Sequence, residues 1–451
     1  MSGGITNTQT YKSIFKDVYQ MAWYQDAIYP ALAYEKFYNK LEKGQTIKWT
    51  YTTDPRVRSL DTDGGFSTKG RTNADDTLTI DTFPSVSDRV PFPEEALDHR
   101  NTYKKWAEDQ AASYLWKMDA DVLGAAYAAA ASTLTGSDIG SSGALQPTES
   151  NISQIFTGAF TKLALQGVLK RGFSNTKRYT NDRKQDYGSR MPIAIVSPEL
   201  YAKGLGVYSL KNTSTGDDIL RSSYLGYILG FNTFISNFLP FSVNYVVTAG
   251  NATNGDTFVL LYGMTDPETG VSEALTFTLV TGTPSNAGEI KIGNTATDTA
   301  TNIKNSLNAP FTSVSGTYYA FTADSLSSLQ ENLLRFTSAS SSGATVTIKI
   351  LGHGRVPYTD TAAAEGFLDT SAVVHNIFGT SQAVALAETY LPKSVVTPDN
   401  GVISVAGGGY VAKDILTYGV YGKKVFHYQK RMIVDVQVLA STLGTPNVRM
   451  N

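Results

Sequence analysis

Cysteine is absent from the 451 residues, which excludes disulfides, thiolate catalysis and thiolate metal sites. Histidine occurs only four times, at His99, His353, His375 and His427, and none stands at a zinc-motif spacing such as HExxH. No stretch reaches the roughly 18 consecutive apolar residues of a spanning helix. The opening, MSGGITNTQTYK, lacks the apolar core of a signal peptide. An excess of one charge is missing too. There are 38 Lys and Arg against 40 Asp and Glu, a formal net charge of −2, where a dedicated nucleic-acid binder is usually strongly basic. The expectation is a soluble chain made in a cytoplasm, with no membrane partner.

Catalytic signatures are equally scarce. No GxSxG elbow occurs. The glycine-rich pieces Gly407–Tyr410 and Gly352–Arg355 lack the strand–loop–helix context of a phosphate loop. The acidic pairs Asp75–Asp76 and Asp217–Asp218 fall in polar, turn-prone segments, where solvation is the ordinary explanation. No general acid and base with an orienting partner is legible. The reading is therefore no enzyme, no cofactor and no metal.

What is present is globular: 41% hydrophobic and 17% charged residues, with length for several domains. Glu94 to Leu123 contains no glycine or proline and predicts a helix of roughly 45 Å. Tyr103, Trp106, Ala107, Ala111, Tyr114, Leu115, Met118 and Val122 mark its apolar stripe. Gly124 then precedes a weak alanine tail and a polar loop, Gly136–Ser150. Residues 46–93 read as strand–turn–strand, with Ile47, Trp49 and Tyr51 on one leg and Leu78 and Ile80 on the return. Between them Asp61–Asp76 is glycine-rich and polar, so the hairpin must lie on something else. Ahead of it, Tyr11, Phe15, Tyr19 and Trp23 recur at i+4. That helix either packs on its own domain or lies across a neighbouring subunit.

Further on, a helix is expected at Ile152–Lys170, then a strand at Ile193–Val196 turning into a short helix. LGYILGFNTFISNFLP reads as a helix end followed by a strand, Phe231–Ser236. Composition shifts near Asn244: to about Val356 the chain is rich in Thr, Ser, Gly and Asn, with alternating strands and one helix, Thr297–Leu307. HNIFGTSQAVALAETYL reads as helix. YGVYGKKVFHYQKRMIVDVQVLAS reads as a glycine-rich turn between two strands. One charge feature stands out: Lys170, Arg171, Lys177, Arg178, Arg183, Lys184 and Arg190 face only Asp182 and Asp186. It is either a loop making inter-subunit ion pairs or a surface for sequence-independent phosphate contact.

The order of these elements resembles the major capsid proteins of tailed double-stranded DNA phages, which share the Hong Kong 97 capsid fold. YPALAYEKFYNKLEKGQTIKW (Tyr29–Trp49) is similar to the family's passage from N-terminal arm to extended hairpin, and TYKKWAEDQAASYLWKMDADVLGA (Thr102–Ala125) to its spine helix. IAIVSPELYAKGL and YLGYILGFNTFISNFLP resemble axial-domain segments. FGTSQAVALAETYLP resembles the last helix, and KKVFHYQKRMIVDVQVL the returning strand. The resemblance covers nearly everything outside about 244–356.

It implies an α+β fold: N-arm (1–45), extended β-hairpin arm (46–93), spine helix and peripheral domain (94–150) and the first part of an axial domain (151–243). A β-rich insertion domain (244–356), the second axial part (357–420) and a returning peripheral strand (421–451) complete it. It also implies a shell of hexamers and pentamers around packaged DNA, located in the virion and assembled in the host cytoplasm. The partners would be other copies, scaffolding, portal and cement proteins, and non-specifically the DNA. The hairpin, with Trp49, Arg56, Arg58, Lys69 and Arg71, would clasp neighbouring subunits. An encapsulin-like compartment and a tail or adhesion protein remain alternatives.

Overall fold

The computed structural model describes residues 27–34, 46–52, 73–91, 102–140, 145–148, 150–168, 192–211, 227–247, 252–266, 270–361, 366–396, 402–405, 408–427 and 429–440. Along the chain, α1 (Tyr29–Leu32) runs into β1 (Ala33–Tyr34). β2 (Thr46–Thr52), β3 (Asn73–Thr79) and β4 (Ser85–Pro91) precede the long helix α2 (Thr102–Ala129). Then come β5 (Ser132–Leu134), α3 (Ile152–Leu165), β6 (Pro192–Val196), α4 (Pro198–Lys211), β7 (Tyr227–Ile228), β8 (Phe231–Ile235) and β9 (Phe241–Val246). The Ser/Thr-rich stretch contributes β10 (Thr257–Leu260), β11 (Leu275–Val280), β12 (Glu289–Lys291), α5 (Ala296–Asn308), α6 (Ser328–Phe336), β13 (Thr337–Ser342) and β14 (Thr345–Ile350). The chain closes with β15 (Tyr358–Asp360), β16 (Gly366–Thr380), β17 (Val384–Val396), β18 (Val402–Val405), β19 (Gly408–Lys424) and β20 (Ile433–Leu439). The architecture is α+β.

Two compact units divide the chain, Met1–Met118 with Gln382–Lys430 and Asp119–Ser381 with Arg431–Asn451. In the first, five strands form a sheet in the order β1-β17-β19-β18, with β4 also paired to β19. β2 and β3 form a separate antiparallel ladder, Thr46 opposite Thr79 through Thr52 opposite Asn73. The first half of α2 packs within this unit, burying Ala107, Ala111, Tyr114, Leu115 and Met118. Thr417 Oγ1 donates to Gln110 Oε1 at 2.6 Å, fixing the helix to β19.

In the second unit a nine-stranded sheet runs β13-β14-β9-β16-β6-β8-β7, with β20 joining β16 to β5. Helix α3 lays Ile155, Phe156, Ala159 and Leu163 on Phe231, Phe378 and Val434. The Phe156, Phe231 and Phe378 rings meet edge to face with centroids 5.1–6.2 Å apart. A four-stranded sheet, β12-β11-β10-β15, has Phe258 stacked on Phe277 at 4.7 Å. Capping boxes start α5 (Thr295 with Asp298) and α6 (Ser327 with Gln330), each satisfying two backbone N–H groups that the helix itself cannot.

The structure corrects several expectations. Helix α2 continues through Gly124 to Ala129, while residues 94–101 lie outside the described residues. The Leu351 side chain lies so close to Gly124 that an added Cβ would meet Leu351 Cδ1 at 2.9 Å. The glycine thus serves packing, and the alanines behind it are strong helix formers. Helix α3 ends at Leu165 rather than Lys170, where Gln166 and Gly167 turn back on the carbonyls of Lys162 and Ala164. Tyr227–Ile228 is a strand, not a helix end, joined to β8 by a tight turn in which Leu229 and Gly230 take φ of 44° and 93°.

HNIFGTSQAVALAETYL is not helical: it is the end of β16, a turn at Ser381–Gln382 and the start of β17. Its helix-forming alanines, Ala385 and Ala387, are small residues packed under the ladder core, so burial overrides propensity. The glycines of YGVYG lie inside β19 rather than in a turn. A Cβ on Gly422 would drive into the backbone carbonyl of Thr79, so glycine lets that chain approach.

Candidate functional site

The ladder β2–β3 is the first candidate, because it carries the connection 53–72 between its open ends. On β2, Ile47 and Trp49 turn inward while Lys48 and Thr50 are exposed, as strand alternation requires. Ile47, Leu78 and Ile80 bury against Ala385, Ala387 and Phe426. The Trp49 ring is 5.7 Å from that of Phe426. Asp76, opposite Trp49, is held from two sides: Lys424 Nζ pairs with it, and the His427 N–H donates to its Oδ2 at 3.0 Å. Lys424 Nζ also donates to the Thr77 carbonyl at 2.6 Å. Partial burial pulls the Asp76 pKa up, but the Lys424 and His427 bonds outweigh it and hold the carboxyl below its ordinary range. Asp76 is thus an anchor and not the solvated turn residue expected from sequence. The arrangement is mechanical: it fixes the root of the hairpin on its own unit.

The second candidate is a buried polar network that sequence reading missed. Ser242 on β9, His375 on β16 and Asp435 on β20 line up across neighbouring strands. Ser242 Oγ lies 2.8 Å from His375 Nε2, and His375 Nδ1 lies 2.9 and 3.0 Å from the two Asp435 oxygens. Gln437 Nε2 donates to Asp435 at 3.2 Å, and the Tyr127 ring lies 4.1 Å from the imidazole. Burial, then the nearby Asp435 carboxylate, pushes the Tyr127 hydroxyl up to about 12. The order serine–histidine–carboxylate is that of a nucleophilic triad. Its setting is not. Ser242, His375 and Asp435 are all buried, and Ser242 is paired with Lys349 on one side and Val373 on the other. What this network does here is tie three strands together.

Of the residues singled out in the sequence, Trp49 is half-buried at the hairpin root. Arg56, Arg58, Lys69 and Arg71 lie outside the described residues, as do Tyr11, Phe15, Tyr19, Trp23 and His99. The whole basic cluster Lys170, Arg171, Lys177, Arg178, Arg183, Lys184 and Arg190 lies outside them too. Among the described residues no group of three or more His, Asp or Glu side chains could hold a metal ion, and no helix is long and apolar enough to cross a membrane. Three separated strands bring the triad together, so no local motif could have signalled it. The Lys424–Asp76 pair was equally hidden, its residues lying on β19 and β3.

No family model matches the chain, and no curated protein does. Among solved structures, one from Mycobacterium phage Che8 is 11% identical at a TM-score of 0.45, covering 91% of this chain and 90% of that one. The capsid structure of the cyanophage P-SCSP1u is 8% identical at a TM-score of 0.45, with coverage of 92% and 89%. The mature capsid of bacteriophage PhiM1 is 8% identical at a TM-score of 0.42, with coverage of 92% and 87%.

Proposed function

We propose that this chain is a shell-forming major capsid protein of a tailed double-stranded DNA phage, built on a Hong Kong 97-like fold. The observation that carries the reading is the order of elements in one chain. A hairpin ladder rooted on its own unit precedes a 28-residue helix, and a last strand, β20, returns to pair with β16 and β5. That order suits a subunit that reaches outward while both ends of its fold stay pinned.

In this role the copies form hexamers and pentamers that enclose packaged DNA in the virion. The connection 53–72, with Arg56, Arg58, Lys69 and Arg71, clasps a neighbouring copy while Trp49 holds its root. The basic cluster from Lys170 to Arg190 meets DNA phosphates or acidic groups of an adjacent subunit. Scaffolding, portal and cement proteins are its other partners, and assembly takes place in the host cytoplasm. Weak contacts suffice, because symmetry repeats each of them in every copy.

The test is to replace residues 55–70 with a short Gly/Ser connection that leaves the β2–β3 ladder intact. The expected product is a folded, soluble subunit that forms no closed shell. Unaltered shells would contradict the clasping role.

A further inference from the structure

Among the described residues, the outer strand of the nine-stranded sheet is β13, with the sequence TSASSS. It carries no lysine, no proline and no bulge, three of the devices that keep a sheet edge from pairing with another chain; the helix α5, which packs against it, supplies the protection instead. Its hydrogen-bond phase is fixed: the Leu351 N–H donates to the Phe336 carbonyl at 3.1 Å, and Thr337 lies opposite Ile350. Bonded pairs alternate along an antiparallel ladder. Ser338, Ser340 and Ser342 therefore bond inward to β14, whereas Thr337, Ala339 and Ser341 present their backbone groups outward. The Thr337 N–H is taken by the Leu334 carbonyl in the last turn of α6. The next outward residue, Ala339, sits mid-strand, where an incoming strand would have to pair.

Both of its outward groups are occupied by one side chain. The Ala339 N–H donates to Asn308 Oδ1 at 2.8 Å, and Asn308 Nδ2 donates to the Ala339 carbonyl at 2.9 Å. Asn308 is the last residue of α5, and its amide stands in for the N–H and C=O that one residue of a missing strand would offer. We propose that Asn308 is an edge stop, which keeps β13 from adding a strand supplied by a second copy of this chain. The occupant it excludes is another β13. Two identical edges can pair antiparallel about a two-fold axis, and β13 is uncharged, so no like-charge repulsion opposes the match. Glutamine, one methylene longer, or aspartate, which cannot donate, would not reproduce the clamp. The inference does not depend on the shell reading.

The absence of cysteine makes the test direct. A single reporter, Ser340→Cys, is placed in the full chain with and without Asn308→Ala, and a short bifunctional thiol reagent is added. Loss of the clamp is expected to raise dimer cross-linking about tenfold, the scale of one well-made hydrogen-bonded contact. Asn308→Asp should fall between the two, because it still accepts from the Ala339 N–H. A second reporter at the exposed Asp324, Asp324→Cys, should not respond. Equal cross-linking of the Ser340→Cys reporter with and without Asn308→Ala would overturn the proposal. So would a parallel rise at both reporters, since that reports general unfolding and not edge pairing.

Discussion

Two acid–base contacts, one in each unit, tie neighbouring strands together under opposite physical conditions. At the hairpin root, the Lys424 and Asp76 side chains are 37% and 17% exposed. In the large sheet, the His375 and Asp435 side chains are 3% and 4% exposed, 2.9 Å apart. Water screens the first pair and can replace either partner. Around the second there is nothing to replace one. A surface contact of this kind locates a segment at little cost when it breaks, as would suit the root of the proposed clasp. A buried one makes strand order and register all-or-none, as suits a sheet that closes on its last strand.

The largest effect should come from breaking the buried network. His375→Ala leaves the Asp435 carboxylate buried with Gln437 as its remaining side-chain partner in this network, and should cost about 3–5 kcal/mol. Denaturant unfolding of the full chain measures it. A loss below about 1 kcal/mol would place the network among surface contacts.

The second effect sharpens the contrast by pH. Burial holds His353 down to about 4 from its ordinary 6.5, against a smaller upward pull from its bond to the Asn332 backbone. Well above pH 6.5 both folded and unfolded chains carry it neutral, and it contributes no pH dependence. As pH falls from 6.5 towards 4, the unfolded chain takes the proton first, so stability declines by up to about 3 kcal/mol and then levels off. The difference between the wild type and His353→Gln across that window reads this contribution directly. A constant difference would contradict it.

The smallest effect belongs to the hairpin root. Lys424→Ala should cost at most about 1 kcal/mol near neutral pH, and less at high salt. The sign with pH follows from Asp76, whose folded pKa is depressed. Its contribution is present above the ordinary carboxylate value and is lost as pH falls through the lowered one. The gap between wild type and Lys424→Ala should therefore narrow on acidification.

Local periodicity made much of the fold legible. The alternation of Ile47 and Trp49 against Leu78 and Ile80 marked the ladder, and the Tyr103-to-Val122 stripe marked the long helix. The amphipathic helix expected at Thr297–Leu307 is α5. Misreadings fell where tertiary contact decides. Ala385 and Ala387 look helical but sit in a strand, where they are buried beneath the hairpin core and paired in the ladder with β19. Gly422 looks like a turn residue but admits the Thr79 backbone beside a strand. Ser242 and His375 are 133 residues apart, and His375 and Asp435 60, so register alone brings them together. The Asn308 clamp has the same origin, a helix end meeting a strand 31 residues later.

Assembly itself is read by electron microscopy of the full chain produced with its native partners. A shell-forming capsid subunit should give closed icosahedral shells that contain DNA. Monomers or trimeric fibres alone would contradict it, and closed shells holding protein without DNA would contradict the packaging role.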